Sequence, residues 1–151
     1  MSEGDPEQIV ARIADGVRSL DADQWDACAG SDNPFLSHSF LSILEESGSV
    51  SPQTGWQPVP VAITGSDGML DAVAPAYAKS HSQGEYVFDH AWADAWERAG
   101  GSYYPKLQVA VPFTPVPGRR LLVRDTGRIP ALIAALEAIT RDNGMSSAQA
   151  T

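Results

Sequence analysis

Two imidazoles, two carboxylates and a phenol fall within ten residues at His81, Glu85, Tyr86, Asp89 and His90. Side chains of these types can take a proton from an amine or orient an acceptor, because histidine titrates near neutrality and a carboxylate holds cationic donors. Each also has a structural reading. Asp89 is placed to cap a following helix, Tyr86 can pack with Val87 and Phe88, and a histidine is commonly a satisfied surface group. The spacing matches no compact zinc pattern, so no metal site is expected. Further on, Tyr103, Tyr104 and Lys106 precede an apolar run and Phe113-Thr114-Pro115 follows it. Both flanks can line a cleft at a sheet end, or the tyrosines can simply cover a core filled by Leu107, Val109 and Val111.

Arg119, Arg120, Arg124 and Arg128 place four guanidinium groups within ten residues of an otherwise acidic chain. If Leu121–Val123 is a strand, Arg120 and Arg124 share one face and Arg119 points to the other. The tract reads either as solvated strand ends or as a surface for an anionic acyl donor or nucleotide-linked acceptor. The net charge of −9 argues against general nucleic-acid binding, which needs clustered bases against phosphate. Residues 1–97 hold sixteen acids and three bases, whereas residues 98–151 hold three acids and seven bases, so an anionic ligand favours the later part.

The elements that must position these groups follow from pattern and punctuation. Val10–Val17 reads as a strand, with Gly16 interrupting any helix. Asp21 and Gln24 have capping-box spacing before a short helix carrying Trp25 and Cys28. Ser37 caps a second helix in which Phe40, Leu41 and Leu44 form the apolar face, Glu45 and Glu46 face water, and Gly48 ends the run. Val59–Thr64 and Met69–Lys79 read as strands joined by the hairpin turn Gly65-Ser66-Asp67-Gly68. Pro58, Pro60 and Pro75 are confined to strand starts, edges or bulges. A helix from His90 to Ala99 should bury Trp92 and Trp96 together, one turn apart. Strands at Leu107–Phe113 and Leu121–Val123, a helix from Pro130 carrying Leu132, Ile133, Leu136 and Ile139, and the opening of a strand at Met145–Thr151 complete the order.

This order predicts an α/β (α+β) fold, a mixed, mainly antiparallel sheet flanked by helices, incomplete at its C-terminal end. The 151 residues suit one domain. No apolar stretch is long enough to cross a membrane, and Glu3, Asp5 and Glu7 stand where a signal peptide needs positive charge, so the chain is expected to be cytoplasmic. Cys28, the single cysteine, reads as a passive thiol.

The run Trp25-Asp26-Ala27 and the longer runs from Asn33 to Leu41, Lys79 to Ser82, Gly84 to Ala95 and Tyr103 to Pro115 resemble the FemAB-like peptidoglycan biosynthesis/recognition family of N-acyltransferases. The resemblance implies a pair of GNAT-like lobes in one polypeptide, with this chain matching the first and a second lobe beyond Thr151. It further implies transfer of an acyl or aminoacyl group to an amine acceptor, a small-molecule or peptide-type cell-wall precursor, with acyl-CoA or aminoacyl-tRNA as donor of the full-length protein. Within the long family-like block, Asp89 and His90 lead as catalytic candidates. His81, Glu85, Tyr86, Tyr103, Tyr104, Lys106, Thr114, Arg120 and Arg124 are candidates for substrate binding.

A phosphate-cradling loop of the usual acyl-CoA kind needs Arg or Gln, two residues, Gly, one residue, then Gly or Ala. Arg98 with Gly101, Arg124 with Gly127 and Arg141 with Gly144 end instead at Tyr103, Ile129 and Ser146. No cofactor is therefore expected to bind through a recognisable motif, and the chain alone is expected to be inactive. Two other readings stand beside the transferase lobe: a non-catalytic recognition module for a cell-wall precursor or partner protein, and a truncated product.

Overall fold

A computed structural model describes residues 10–85 and 89–151; Tyr86, a candidate above, lies outside the described residues. The chain runs through β1 (Val10–Ile13), α1 (Ala22–Ala29), α2 (His38–Glu46), β2 (Trp56–Pro58), β3 (Val61–Thr64), β4 (Leu70–Ala74) and β5 (Ala76–Lys79). It continues through α3 (His90–Arg98), β6 (Lys106–Val109), β7 (Leu122–Val123), α4 (Ile129–Asp142) and β8 (Ala148–Ala150). The fold is mixed α+β with mostly antiparallel strands, as the sequence predicts.

The segment read as one strand from Met69 to Lys79 is broken by Pro75, whose missing N–H cannot extend a ladder. Its first half, β4, joins the order β1-β3-β4-β7, and its second half, β5, joins β2-β5-β6-β8. The partner run breaks at the same level, between β2 and β3. On the far side, β6 pairs with β5 and ends where Ala110 donates to the Pro75 carbonyl; the chain then leaves the sheet until β7 resumes alongside β4. The 111–121 excursion is thus an interruption in a single strand path. After α4, β8 returns parallel to β6.

Alternation divides the core. Val61, Ile63, Ala72, Ala74, Ala76, Leu107 and Val109 face Leu132 and Leu136 of α4. Ala62, Val73 and Leu122 face the other way, onto Trp25, Cys28 and Ala29 of α1 and Leu41 of α2. Burial on both faces explains why β3 and β4 read as nearly continuous apolar runs.

Local signals hold where they are local. The Asp21 side chain accepts from Gln24 N–H and that of Ser37 from Phe40 N–H. Gln24 does not close a box, because its Oε1 accepts from Leu70 N–H across the layer. Two expectations are corrected. Glu45 is buried rather than facing water, since its carboxylate accepts from Val17 N–H at 2.7 Å and Arg18 N–H at 3.2 Å, capping a 3₁₀ turn that follows β1. Trp92 and Trp96 are 73% and 44% exposed, because α3 turns only Ala93 inward and does not lie on a sheet face.

Gly16 has φ 93°, and a Cβ there would stand 2.6 Å from Glu45 Oε1. Gly16→Ala should therefore destabilise the fold by about 1–3 kcal/mol, read as a lowered midpoint in urea unfolding.

Candidate functional site

The chain has two lysines, and both are fully buried. Lys79 on β5 and Lys106 on β6 are directly paired in the antiparallel register, and Trp56 on β2 pairs with Lys79. Because Ala76, Leu107 and Val109 face α4, the alternation sends Lys79, Lys106, Tyr77 and Gln108 to the opposite face. The parallel neighbour of Gln108 is Gln149 on β8. A face that is apolar under α1 thus becomes polar once past Pro75.

Like charges opposite each other in a ladder are destabilising, and buried ammonium groups need anions. Two carboxylates supply them. Lys106 Nζ donates to Glu85 Oε1 at 2.8 Å, Asp89 Oδ2 at 2.7 Å and Gln149 Oε1 at 3.3 Å, using all three of its N–H groups. Tyr103 OH donates to the same Asp89 oxygen at 2.5 Å and accepts from Gln149 Nε2. Lys79 is held differently: it donates to the Gln83 carbonyl at 2.8 Å, stands 3.6 Å from the Trp56 ring centroid, and is 3.5 Å from Glu85 Oε2. That last contact is an ion pair without hydrogen-bond geometry.

These environments move the titrations apart. Burial pulls Lys106 down, but its bonds to Asp89 and Glu85 outweigh this and raise it above the ordinary lysine value. Burial lowers Lys79 to about 8, with Glu85 offsetting only part of the effect and Lys106 adding to it. For Asp89, burial pushes upward, yet hydrogen bonds from Lys106, Ser82 and Tyr103 prevail and hold the carboxyl at about 2. Burial and the bond to Asp89 raise Tyr103.

Asp89 sits at the N-cap position of α3 but makes no cap bond. The cap expectation is corrected for a physical reason: a charge-assisted bond to a buried ammonium outcompetes a neutral N–H. Trp56 Nε1, Tyr77 OH, Glu85 Oε2, Asp89 Oδ1 and Gln108 Oε1 are buried and lack a hydrogen-bond partner among the described residues. All five belong to this face or its cover, so the buried polar atoms without a partner among the described residues are gathered in one place.

Glu85 also lines a cleft of about 330 Å³ against the 111–121 excursion, with Thr114, Arg120 and Thr151 as its other polar edge and Val111 and Val116 as apolar wall. Phe113 pins that excursion: its N–H donates to the Gly84 carbonyl, and its ring lies 5.2 Å from that of Trp56. Its backbone is left-handed at φ 61°, a strained state for an aromatic residue. Arg120 donates to the carbonyls of Thr151, Val116 and Arg119.

The sequence candidates therefore divide. Glu85, Asp89, Tyr103 and Lys106 come together, Thr114 and Arg120 share the cleft with Glu85, and Tyr104 OH bonds Ser82 Oγ at its margin. His81 turns away, its ring nitrogens engaged with the Thr54 carbonyl and Gln83 N–H. His90 is exposed on the first turn of α3. Arg124 lies beside Asp71, eight residues from Lys79 along β4–β5 and so roughly 25 Å of extended chain away. It does not share a strand face with Arg120, because β7 starts only at Leu122. Lys79, Trp56, Gln108 and Gln149 were not among the candidates. The scarcity of lysine, with both copies in strand-like segments, was the available signal.

The turn into α4 presents carboxylates rather than an anion cradle. Asp125 accepts from Gly127 N–H, Arg128 pairs with Asp71 at 3.2 Å, and Asp67, Asp71 and Asp125 line the hollow with Arg124 and Arg128.

The model of the FemAB-like family, described as peptidoglycan biosynthesis/recognition, matches residues 16–151. The chain belongs to this family. No curated protein and no solved structure matches it. The FemAB-like match extends over every element of the lysine–carboxylate cluster and the cleft. Among the described residues no helix is long and apolar enough to cross a membrane.

Two outcomes follow for this FemAB-like chain. Lys106→Met should cost about 3–5 kcal/mol, because it strands two buried carboxylates, whereas Lys79→Met should cost much less; chemical denaturation measures both. The folded-state pKa of Asp89 lies below its ordinary 3.8, so its contribution, about 2 kcal/mol, is present above about pH 4 and fades as pH falls toward 2. Asp89→Asn should lose that segment of the acid-unfolding profile.

Proposed function

We propose that this chain is the acceptor-binding lobe of a peptidoglycan-related acyl or aminoacyl transferase, and that the cleft beside Glu85 receives an amine-bearing, peptide-type acceptor. The observation that carries this reading is Glu85 itself. One carboxylate oxygen is fixed on Lys106, while the other, 3.5 Å from Lys79 Nζ, is buried without a hydrogen bond among the described residues, in a side chain that lines the cleft. An acceptor amine is an ammonium at neutral pH and has the donors that oxygen needs. Arg120 and Thr114 stand across the same cleft, where an acceptor's carboxylate or amide would meet them.

In the transfer, the acceptor nitrogen loses a proton and attacks the acyl carbonyl. The new N–C bond forms as the donor's C–O or C–S bond breaks, and the transient oxyanion requires N–H donors. The acidic turn before α4 is a poor place for the phosphates of a donor, which supports a donor surface in the second lobe that the family resemblance implies. Cytoplasmic location fits such substrates.

The test compares this chain with a version extended through the second lobe, using acyl-CoA and aminoacyl-tRNA as donors. Turnover is expected only in the extended protein, with Glu85→Gln lowering kcat/KM by about a hundredfold or more. Arg120→Gln should raise KM for a carboxylate-bearing acceptor, and Arg124→Gln should not. Robust turnover by the short chain would overturn the division of labour. Acceptor binding by the extended protein without transfer from either donor would establish a recognition module instead.

A further inference from the structure

The cluster is electrically balanced before any acceptor arrives: two ammonium groups, Lys79 and Lys106, against two carboxylates, Glu85 and Asp89. Resting on the cleft reading above, an ammonium docked at Glu85 Oε2 adds a third cation to a buried site with two anions. One group must then release a proton, because an uncompensated buried charge is far more costly than a neutral amine.

The contacts identify which. Lys106 spends its three N–H groups on two carboxylates and an amide. Tyr103 donates to Asp89, which is already doubly bonded through one oxygen. Among the described residues Lys79 makes one hydrogen bond, to the Gln83 carbonyl, and otherwise faces the Trp56 ring, Glu85 Oε2 and the like charge of Lys106 on the next strand. The titratable neighbours around it among the described residues are thus Glu85 from the segment after β5, Lys106 from β6 and, beyond them, Asp89 and Tyr103.

We propose that Lys79 is the proton store of this site, taking the acceptor's proton by way of Glu85. The acceptor ammonium gives a proton to Glu85 Oε2, and Oε2 gives one to the neutral Nζ of Lys79. The acceptor is left as a free amine with its lone pair available for the new N–C bond, Lys79 becomes an ammonium, and Glu85 ends as it began. Lys79, itself out of contact with solvent, reaches the neutral state beforehand by passing its own proton through Glu85 to the solvent of the cleft as the third cation arrives. Its lowered titration, about 8, makes that release accessible near neutrality. Lys79 does not touch the acceptor; it acts through Glu85.

With two lysines in the chain, ¹⁵N-lysine labelling yields two Nζ resonances, and Lys79→Met assigns them. In the free protein the Lys79 signal should titrate near 8 while that of Lys106 stays charged well above it. Methylammonium is the probe. Its addition should lower the Lys79 midpoint by about one unit, a tenfold change, and shift the amides of Val111 and Thr114. Glu85→Gln should abolish the response at Lys79. If the cleft amides shift while Lys79 stays fully protonated, the proton store is wrong and the cleft reading stands. If neither the amides nor Lys79 respond to excess methylammonium, the cleft reading fails and takes this inference with it. If Lys106 is the lysine that titrates low, the roles assigned to the two lysines are overturned.

Discussion

Two fully buried ammonium groups stand paired across adjacent strands, and the rest of the site is arranged to make that tolerable. Glu85 and Asp89 must supply their carboxylates to this face, and Tyr103 and Gln149 must complete the hydrogen bonds. Without this demand the second half of the sheet would be free to take an apolar helix, as the first half takes α1. The polar cluster fixes where Glu85, Asp89 and Tyr103 lie more than it adds net stability, since buried ion pairs gain little over well-packed apolar groups.

Proline makes the change of character possible. At Pro75 one long strand passes between two sheets with a common α4 face and different opposite faces. The strand path next to it is broken at the same level by the 111–121 excursion, and the cleft opens there. The cleft is therefore a consequence of the sheet's division rather than a surface dent, with the left-handed Phe113 fastening the excursion to Gly84.

What was legible in the sequence is what depends on near neighbours. Ser37, Asp21 and the Gly65–Gly68 turn act within four residues, and each performs its expected part. Trp92 and Trp96 show the limit: i, i+4 spacing says that two rings share a helix face, but not that anything covers the face. Glu45 and Asp89 fail for the complementary reason. Each looks solvent-facing or cap-like locally, and each is captured by a distant partner, the turn at Val17 and the ammonium of Lys106. The candidates Glu85, Asp89, Tyr103 and Lys106 were visible as residue types, yet their convergence depends on the β5–β6 register, which no local pattern encodes. Lys79 ends a strand, and nothing in its local pattern reveals the carboxylate and ring that enclose it.

The placement of the two lysines also leaves the surface of the described residues without an ε-amine, its positive charge carried by arginines. Guanidinium groups stay protonated and are poor nucleophiles at neutral pH, whereas an exposed lysine amine is the side chain that readily attacks an activated ester or thioester. Under the proposed transferase reading, a lobe that shows such donors no lysine amine on its described surface is protected from acylating itself. On that reading, no lysine of the described surface competes with the amine held in the cleft.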